Sequence, residues 1–457
     1  MSGIVYIKTI LFLFTKLNSL FVRRWPIGRI SKHLGMKILH LSKMDAGGGA
    51  ADGFVRIHRA LLAEGHHSVG YVIKQKRQDV PAMIDARRLL GPLEKLGWGL
   101  GRVWAKLRRL HLKPVGVYDF DAEANYPAEP IICHARTQAE KWDLVLVHWS
   151  GAFVRPETIR EIGEALGARV ALWQVDMAHA TGGCHSNLGC LKYQSGCGAC
   201  PLLGSTDPKD VSAVQAERRT RIWKELGVFV LAPSGWSARQ AKESFTLGGL
   251  DLRTFPIPLD LAMLKPTADQ LSVRRELGLP AEGRIVLVRA LDPAITYKGF
   301  GLFLQALRRL DDQGVTLHVA VIGDRGFIPA GFRHITFTEL GPQRGDAALA
   351  RAYQAADFFV SPSTNETGPM MAGEAMACGR PLIAYPIGIA PDLVEQGRNG
   401  TLVEPVGDVA ALATAIRTYA EMPAGELAAR QQAAADSAGR ILSAGYFAEQ
   451  VQAALCR

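Results

Sequence analysis

The sequence predicts an α/β protein of two Rossmann-like domains facing a central cleft, and three observations carry that expectation. A chain of 457 residues is too long for one ordinary domain and suits roughly two or three cores. Short apolar strands alternate with helical patterns in two separate runs, divided by the proline-rich stretch "FPIPLDLAMLKP" (255–266). The first run opens as β-α-β, with glycines between its first strand and helix.

Taken in order, 37–42 ("KILHLS") reads as a buried strand, followed by the loop "KMDAGGGAADG". A helical pattern from about 51 to 64 ends at Gly65, and "HSVGYVIK" (67–74) is the next strand. "WDLVLVHW" (142–149) and "ARVALWQVD" (168–176) flank a helix near 156–166, and "GVFVLAPS" (227–234) reads as the last strand of this half. The second alternation runs through "RIVLVRAL" (284–291), a helix near 299–311, "TLHVAVIG" (316–323) and "HITFTEL" (334–340). It continues with a helix near 346–356, "DFFVSPS" (357–363), a helix from about 370, and "PLIAYP" (381–386). The expected division is 1–35, 36–255, 256–425 and 426–457. Residues 408–455 are an alanine-rich helical stretch whose end could pack back across the linker.

The segment 4–25 ("IVYIKTILFLFTKLNSLFVRRW") is apolar but interrupted by Lys8, Lys16 and Asn18. It lacks a signal-peptide cleavage pattern, and its uninterrupted apolar run is too short for a membrane span. Two readings stand: an interfacial anchor ending in Arg23–Arg24–Trp25, or sequence upstream of a natural start at Met36.

A net charge of +10 favours nucleic acid, anionic lipid or phosphorylated small molecules as partners. No aromatic–basic module of a nucleic-acid binder is present, so nucleic acid is the weakest of the three. The excess is uneven: 74–113 carries eleven Lys/Arg against Asp79, Asp85 and Glu94. Within it, "GWGLGRVWAKLRRLHLK" (97–113) is basic and amphipathic, with Trp98 and Trp104 among six basic residues, His111 included. It reads either as a solvated helical face or as a contact with an anionic membrane surface or polyanionic acceptor.

Four cysteines are spaced Cys184-x5-Cys190-x6-Cys197-x2-Cys200. The final C-x2-C with glycine between is a good metal knuckle, and four thiolates suit structural zinc, with His185 as an alternate ligand. Reduced thiols in a tight loop fit the spacing equally well.

From Phe358 to Gly379 the sole carboxylate side chains are Glu366 and Glu374. Glu366 follows a strand end, where ligands of open α/β sheets bind. Gly368 and Pro369 then break the chain before a helix starting near Met370 or Met371. The first-turn N–H groups of such a helix are unpaired and carry the positive end of its dipole. An anion site between two hydroxyl-accepting carboxylates suits a diphosphate with a polyol at each end, as in a sugar nucleotide. Two surface acids at a helix end are the bland alternative.

The run "AYQAADFFVSPSTNETGPMMAGEAMACGRPLIAYPIGIAPDLVEQGRNGTLVEP" resembles the donor-binding signature of retaining glycosyltransferases of family 4, which have the GT-B fold. "GGGAADGFVRIHRALLAEGH" and "VHWSGAF … TGGCH … C … Y … GCGACPLL" are similar to the branch that builds exocellular polysaccharides such as colanic acid. The resemblance covers Met36 to about Pro423. It implies an acceptor domain over 36–255 with a Cys-rich loop 184–200, and a donor domain over 256–425. Glu366 would hold the transferred sugar and Glu374 the ribose. Lys298 in "TYKGF" and Arg289 in "VRALDP" would neutralise the diphosphate, with no cofactor required for catalysis. Gly48 and Gly49 match the loop that admits the phosphates, Gly388 matches a glycine turn, and the nucleobase would lie near Thr338–Leu340. Asp176 falls on the donor side, and His179 is an acceptor-side candidate. His148, at the end of the strand "DLVLVHW", faces the cleft if the domain division holds and would then serve acceptor binding; a satisfied histidine at a strand end fits it at least as well. The implied acceptor is a glycan or polyprenyl-linked glycan at the cytoplasmic face of the membrane.

Three positions depart from the pattern. Val175 stands before Asp176 where the branch has histidine, with His179 a candidate substitute. Ile389 replaces a second glycine, and Tyr297 replaces a frequently basic residue. The Val175 departure leaves open a non-catalytic sugar-nucleotide or glycan-binding protein on the same scaffold. An NAD enzyme would need an acid ending the second strand, where this chain has "VIKQKR".

Overall fold

A computed structural model describes residues 35–109, 126–290, 295–324, 326, 330–366, 368 and 370–456. Apart from Gly35, the N-terminal segment expected over 1–35 lies outside them.

Two parallel sheets form the framework. The first comprises β1 (Lys37–Met44), β2 (His67–Lys74), β3 (Met83–Asp85), β4 (Leu144–Val147), β5 (Arg169–Trp173), β6 (Phe229–Ala232) and β7 (Asp251–Thr254), in the order β3-β2-β1-β4-β5-β6-β7. The second comprises β8 (Ile285–Ala290), β9 (Leu317–Gly323), β10 (Ile335–Gly341), β11 (Phe358–Ser361), β12 (Leu382–Ala384) and β13 (Gly400–Leu402), in the order β10-β9-β8-β11-β12-β13. In each sheet the order reverses beside the first strand, at β1/β4 and β8/β11, which opens a crevice at the strand ends. The inner strands β4, β6, β9 and β11 are buried along their whole length, because helices cover both faces. Their continuous Val/Leu/Phe/Ile runs are what made them readable.

The strand at 229–232 is not the last of its half. β7 follows it in parallel pairing, Phe229 opposite Asp251 and Ala232 opposite Thr254. Its sequence, Asp-Leu-Arg-Thr, has no residue fully buried, as suits a strand at the sheet edge, and so gave no apolar signal.

The helices that shape the site are α1 (Gly49–Ala63), α2 (Pro92–Arg109), α3 (Phe300–Asp312), α4 (Asp346–Ala355) and α5 (Met370–Ala377). The C-terminal stretch divides at its end. Helix α6 (Ala424–Ile441) packs on the second sheet's core through Ala434 and Ala438. Helix α7 (Ala444–Leu455) returns to the first, placing Phe447, Val451 and Ala454 against Ile38, Ile57 and Trp173. Arg169 fastens it by donating to the carbonyls of Ala454 and Leu455.

Trp98 does not face outward as a membrane contact would. It sits edge-on to buried Tyr126, ring centroids 5.9 Å apart, against the first core. The aromatic ring is the helix's attachment to the domain, and the side chain of Trp104 lies outside the described residues.

Candidate functional site

The site lies where α1 of the first domain meets α5 of the second. Gly47 (φ +100°) and Gly48 (φ +136°) turn the loop after β1 into a left-handed conformation open to glycine. Along α1, a Cβ on Gly53 would stand 3.1 Å from Ile257 Cδ1 and 3.9 Å from Met370 Sδ. One on Gly49 would stand 3.9 Å from Met370 Cε. The small residues therefore bring α1 up to the start of α5, as Gly368 does against Pro233.

One turn beyond Gly53, Arg56 reaches across. Its guanidinium meets Glu374 Oε1 at 2.8 Å and Asp346 Oδ1 at 2.7 Å, and its Nη1 lies 3.5 Å from Met370 Sδ. Glu374 is 1% exposed. Its second oxygen accepts from Tyr353 Oη at 2.8 Å and faces Arg289 Nη1 at 3.9 Å. Burial, and then Glu374, hold the Tyr353 phenol well above its ordinary pKa. Burial opposes the Arg56 charge, but Glu374 and Asp346 outweigh it and raise its pKa. Burial likewise lifts the carboxyl of Asp52, against the pull of Arg77.

Glu366 pairs with Lys298 and lies 3.4 Å from Ser363 Oγ. Lys298 occupies a single 3-10 turn before α3, capped by Gly299 at φ +71°. A Cβ there would fall 1.8 Å from the carbonyl oxygen of Pro362. Only glycine lets the lysine loop lie on the loop that carries Glu366, and Thr364 N–H donates to Tyr297 O at 2.8 Å to close the join. Lys298 Nζ also sits 5.4 Å from the Tyr297 ring centroid, a cation–π distance.

Arg289 lies near the end of β8 and faces Glu374, and among the described residues its buried Nε has no hydrogen-bond partner. An orphaned guanidinium N–H costs roughly 1–3 kcal/mol or more unless something accepts from it. Lys298, Arg289, Glu366, Glu374, Gly368, Met370 and Met371 are thus gathered around the start of α5.

Asp176 is fixed by Ala178 N–H at 2.8 Å and pairs with His185 Nδ1 at 2.6 Å. The imidazole beside Asp176 therefore comes from His185, nine residues on, and not from His179. The same loop reaches the second domain, where Asn187 Oδ1 lies 3.5 Å from Asn365 Nδ2. Gly388 has φ +56°, and Ile389 after it is buried in the second core.

His148 and His179 do not present side chains to an acceptor in this structure. Both are buried, His179 Nε2 bonds the His148 carbonyl at 2.8 Å, and His148 Nε2 lies 2.9 Å from His40 Nδ1. His148 sits at the buried end of β4, so the strand's own packing draws it inward. The network continues from His40 Nε2 to Ser68 Oγ (2.8 Å), to His58 Nδ1 (2.7 Å), and from His58 Nε2 to the Pro81 carbonyl (2.8 Å). Burial depresses the pKa of His40, His58 and His148, the last to about 3.

Cys184, Cys190, Cys197 and Cys200 line one small pocket, and all are free thiols. Cys197 takes a positive φ of 66°, and its sulfur accepts from Gly182 N–H at 3.2 Å. Burial, then the neighbouring cysteines, push the Cys184 thiol up to about 12. Among the described residues, no three His, Cys, Asp or Glu are arranged to hold a metal ion.

The sequence reading missed Arg56, Tyr353, Asp346 and the Asp176–His185 pair. Arg56 had a signal: Gly49, Asp52, Gly53 and Arg56 recur at helical spacing directly after the glycine loop. Tyr353 and Asp346 had none, being ordinary residues of an amphipathic helix.

Residues 282–421 match the family model described as "Glycosyl transferases group 1". The chain is similar to D-inositol 3-phosphate glycosyltransferases, 32% identical over 161 residues to that of Segniliparus rotundus (33% of this chain, 35% of the relative). Against that of Thermomonospora curvata it is 31% identical over 212 residues (40% and 47%). The chain thus spans between a third and a half of the length of these curated relatives. Among solved structures, Anabaena HepE in complex with UDP and glucose has a TM-score of 0.56 at 19% identity, covering 92% of this chain and 99% of that one. Sucrose-phosphate synthase from Thermosynechococcus elongatus has a TM-score of 0.57 at 20% identity, covering 92% and 98%. The catalytic domain of Arabidopsis thaliana starch synthase IV, bound to ADP and acarbose, has 0.57 at 15%, covering 93% and 100%. Two parallel-sheet domains meeting at a cleft, with these neighbours, are the GT-B fold, and residues 282–421 of the second domain are similar to the group 1 glycosyl transferases.

Proposed function

We propose that this protein transfers a sugar from a nucleoside-diphosphate sugar to a hydroxyl of a glycan or polyprenyl-linked glycan, with retention at the anomeric carbon. The observation that carries the reading is the buried Nε of Arg289, unpartnered among the described residues, on a side chain that faces Glu374 of α5. The leaving diphosphate gains negative charge as the glycosidic bond breaks. Lys298 and Arg289 are preformed donors for it, each worth roughly 3–4 kcal/mol of barrier when well placed. Glu366 would receive the sugar hydroxyls and Glu374 the ribose. The exopolysaccharide branch, the retaining outcome and work at the cytoplasmic membrane face rest on the sequence resemblance. The neighbours' UDP and ADP support a nucleotide donor and leave its base open.

A second reading, a non-catalytic sugar-nucleotide binder, is favoured by one observation: both oxygens of Glu374 are already engaged by protein groups. A thermal-shift panel of UDP-, GDP-, dTDP- and ADP-sugars with NAD as control, followed by turnover with the nucleotide that binds, tests both. One nucleotide class shifting wild type, less so Glu374→Gln, together with turnover, supports the transferase. A shift without turnover selects the binder, and a shift from NAD alone overturns both.

A further inference from the structure

Helix α4 presents two residues to the same point. Asp346 and Tyr353 stand two helical turns apart and so share one face. Tyr353 Oη donates to Glu374 Oε2 at 2.8 Å, while Asp346 Oδ1 accepts from Arg56 at 2.7 Å. Helix α1 supplies the rest. Gly49, Gly53 and Arg56 follow the i, i+4, i+7 spacing, so Arg56 lies on the face whose missing side chains let α1 approach Met370. Arg56 thereby reaches Glu374 Oε1 at 2.8 Å from the other domain.

Each oxygen of Glu374 is thus held once. An ionised carboxylate offers about four acceptor sites, two on each oxygen. Among the described residues, Arg56 and Tyr353 take one site on each oxygen, and Arg289 Nη1 at 3.9 Å is beyond hydrogen-bond range. One site remains on each oxygen, an arrangement that two hydroxyls on adjacent carbons can fill together. A ribose offers such a pair in its 2′ and 3′ hydroxyls, and a 2′-deoxyribose does not. Holding the carboxylate matters because a glutamate side chain turns about three bonds. A loose one would lose rotamer freedom on meeting a ligand, and binding would be weaker for it. Glu374, gripped from both sides and almost out of water, has lost that freedom already.

We propose that Arg56 and Tyr353 are positioning residues that fix Glu374 so that it selects a ribonucleotide over its 2′-deoxy analogue. The proposal rests on the reading of Glu374 as the group that receives the ribose.

The test is calorimetric titration of the full chain with UDP and with 2′-deoxy-UDP, or with the matching pair for the base found in the thermal-shift panel. Wild type, Arg56→Lys, Tyr353→Phe and Glu374→Gln are compared. Wild type should prefer the ribonucleotide by roughly tenfold or more, the value of one hydrogen bond to a charged group. Glu374→Gln should lose most of that preference. Arg56→Lys keeps the charge without the planar fork, and Tyr353→Phe removes only the hydroxyl. Each should cut the preference to roughly threefold or less, with affinity for the 2′-deoxy compound close to that of wild type. General damage to the site would weaken both compounds alike, and that result overturns the proposal. A preference lost in Glu374→Gln but intact in both Arg56→Lys and Tyr353→Phe overturns it alone and leaves the ribose reading standing. A larger preference in Arg56→Lys also overturns it, by showing that Arg56 competes with the ribose. A preference that survives Glu374→Gln, or no nucleotide binding by wild type, removes the ribose reading and the proposal together.

Discussion

Arg56 and Glu374 meet at 2.8 Å across the two domains, and both side chains are almost out of water. The arginine belongs to the helix after the first glycine loop, and the glutamate to the helix after β11. Their contact joins the two domains at the residue proposed to hold the ribose.

Breaking a buried pair by removing one partner leaves an uncompensated charge, at a cost of about 3–5 kcal/mol. Arg56→Gln should therefore lower the urea midpoint, because Glu374 keeps only the Tyr353 hydroxyl at 2.8 Å and the more distant Arg289 Nη1 at 3.9 Å. Arg56→Gln combined with Glu374→Gln should recover part of the loss, since neither charge is then stranded. Additive effects in the double-mutant cycle would mean that the two residues are not coupled.

Lys298 and Arg289 are expected to act in the transition state more than in binding. Lys298→Ala should cut kcat about 10²–10³-fold with a much smaller change in KM. Arg289→Lys keeps the charge but removes the guanidinium Nε, and should lose activity too. Steady-state kinetics with the sugar nucleotide found in the thermal-shift panel reads both. A rise in KM alone would assign the pair to ground-state binding.

Gly299→Ala should disable the site without touching a charged residue. The added methyl meets the Pro362 carbonyl at 1.8 Å, and the backbone is already left-handed. The lysine loop must then move away from the loop bearing Glu366. The expected result is a loss of kcat comparable to that of Lys298→Ala, with a lowered melting temperature. Wild-type kcat in the variant would show that the two loops are free to separate.

The framework was legible because parallel strands buried on both faces read as continuous apolar runs. The reading failed at β7, a polar edge strand, and at β3 and β13, which have three residues each. The site was legible in one half. Glu366, Glu374 and Lys298 sit in a local signature, whereas Arg56 acts on Glu374 from 318 positions away, a relation no local pattern carries. Histidines misled, because a strand-end histidine looks the same in sequence whether it faces a cleft or, as His148 does, the core. The C-x2-C spacing has the same ambiguity between a metal knuckle and a pocket of thiols.

The histidine network makes the fold acid-sensitive in a directed way. The Pro81 carbonyl can only accept, so His58 Nε2 carries a proton and its Nδ1 accepts from Ser68 Oγ. Ser68 must then accept from His40 Nε2, and His40 Nδ1 from His148 Nε2–H. Among the described residues the buried His148 Nδ1 lone pair has no partner. Each ring is neutral in the folded chain, its pKa held below the ordinary histidine value chiefly by burial. In the unfolded chain each protonates near 6.5. Above that pH neither state takes up a proton, and the network costs nothing. As pH falls below it the unfolded chain binds protons that the folded one refuses, so stability drops by up to about 1.4 kcal/mol per pH unit per histidine. The loss should run from about pH 6.5 down toward the folded pKa, about 3 for His148. Unfolding free energies measured by urea between pH 8 and pH 5 should therefore fall less steeply for His148→Phe than for wild type. That holds even though the variant starts lower at pH 8, where His40 Nδ1 has lost its donor. Parallel slopes below pH 6.5 would mean that His148 already titrates normally in the folded protein.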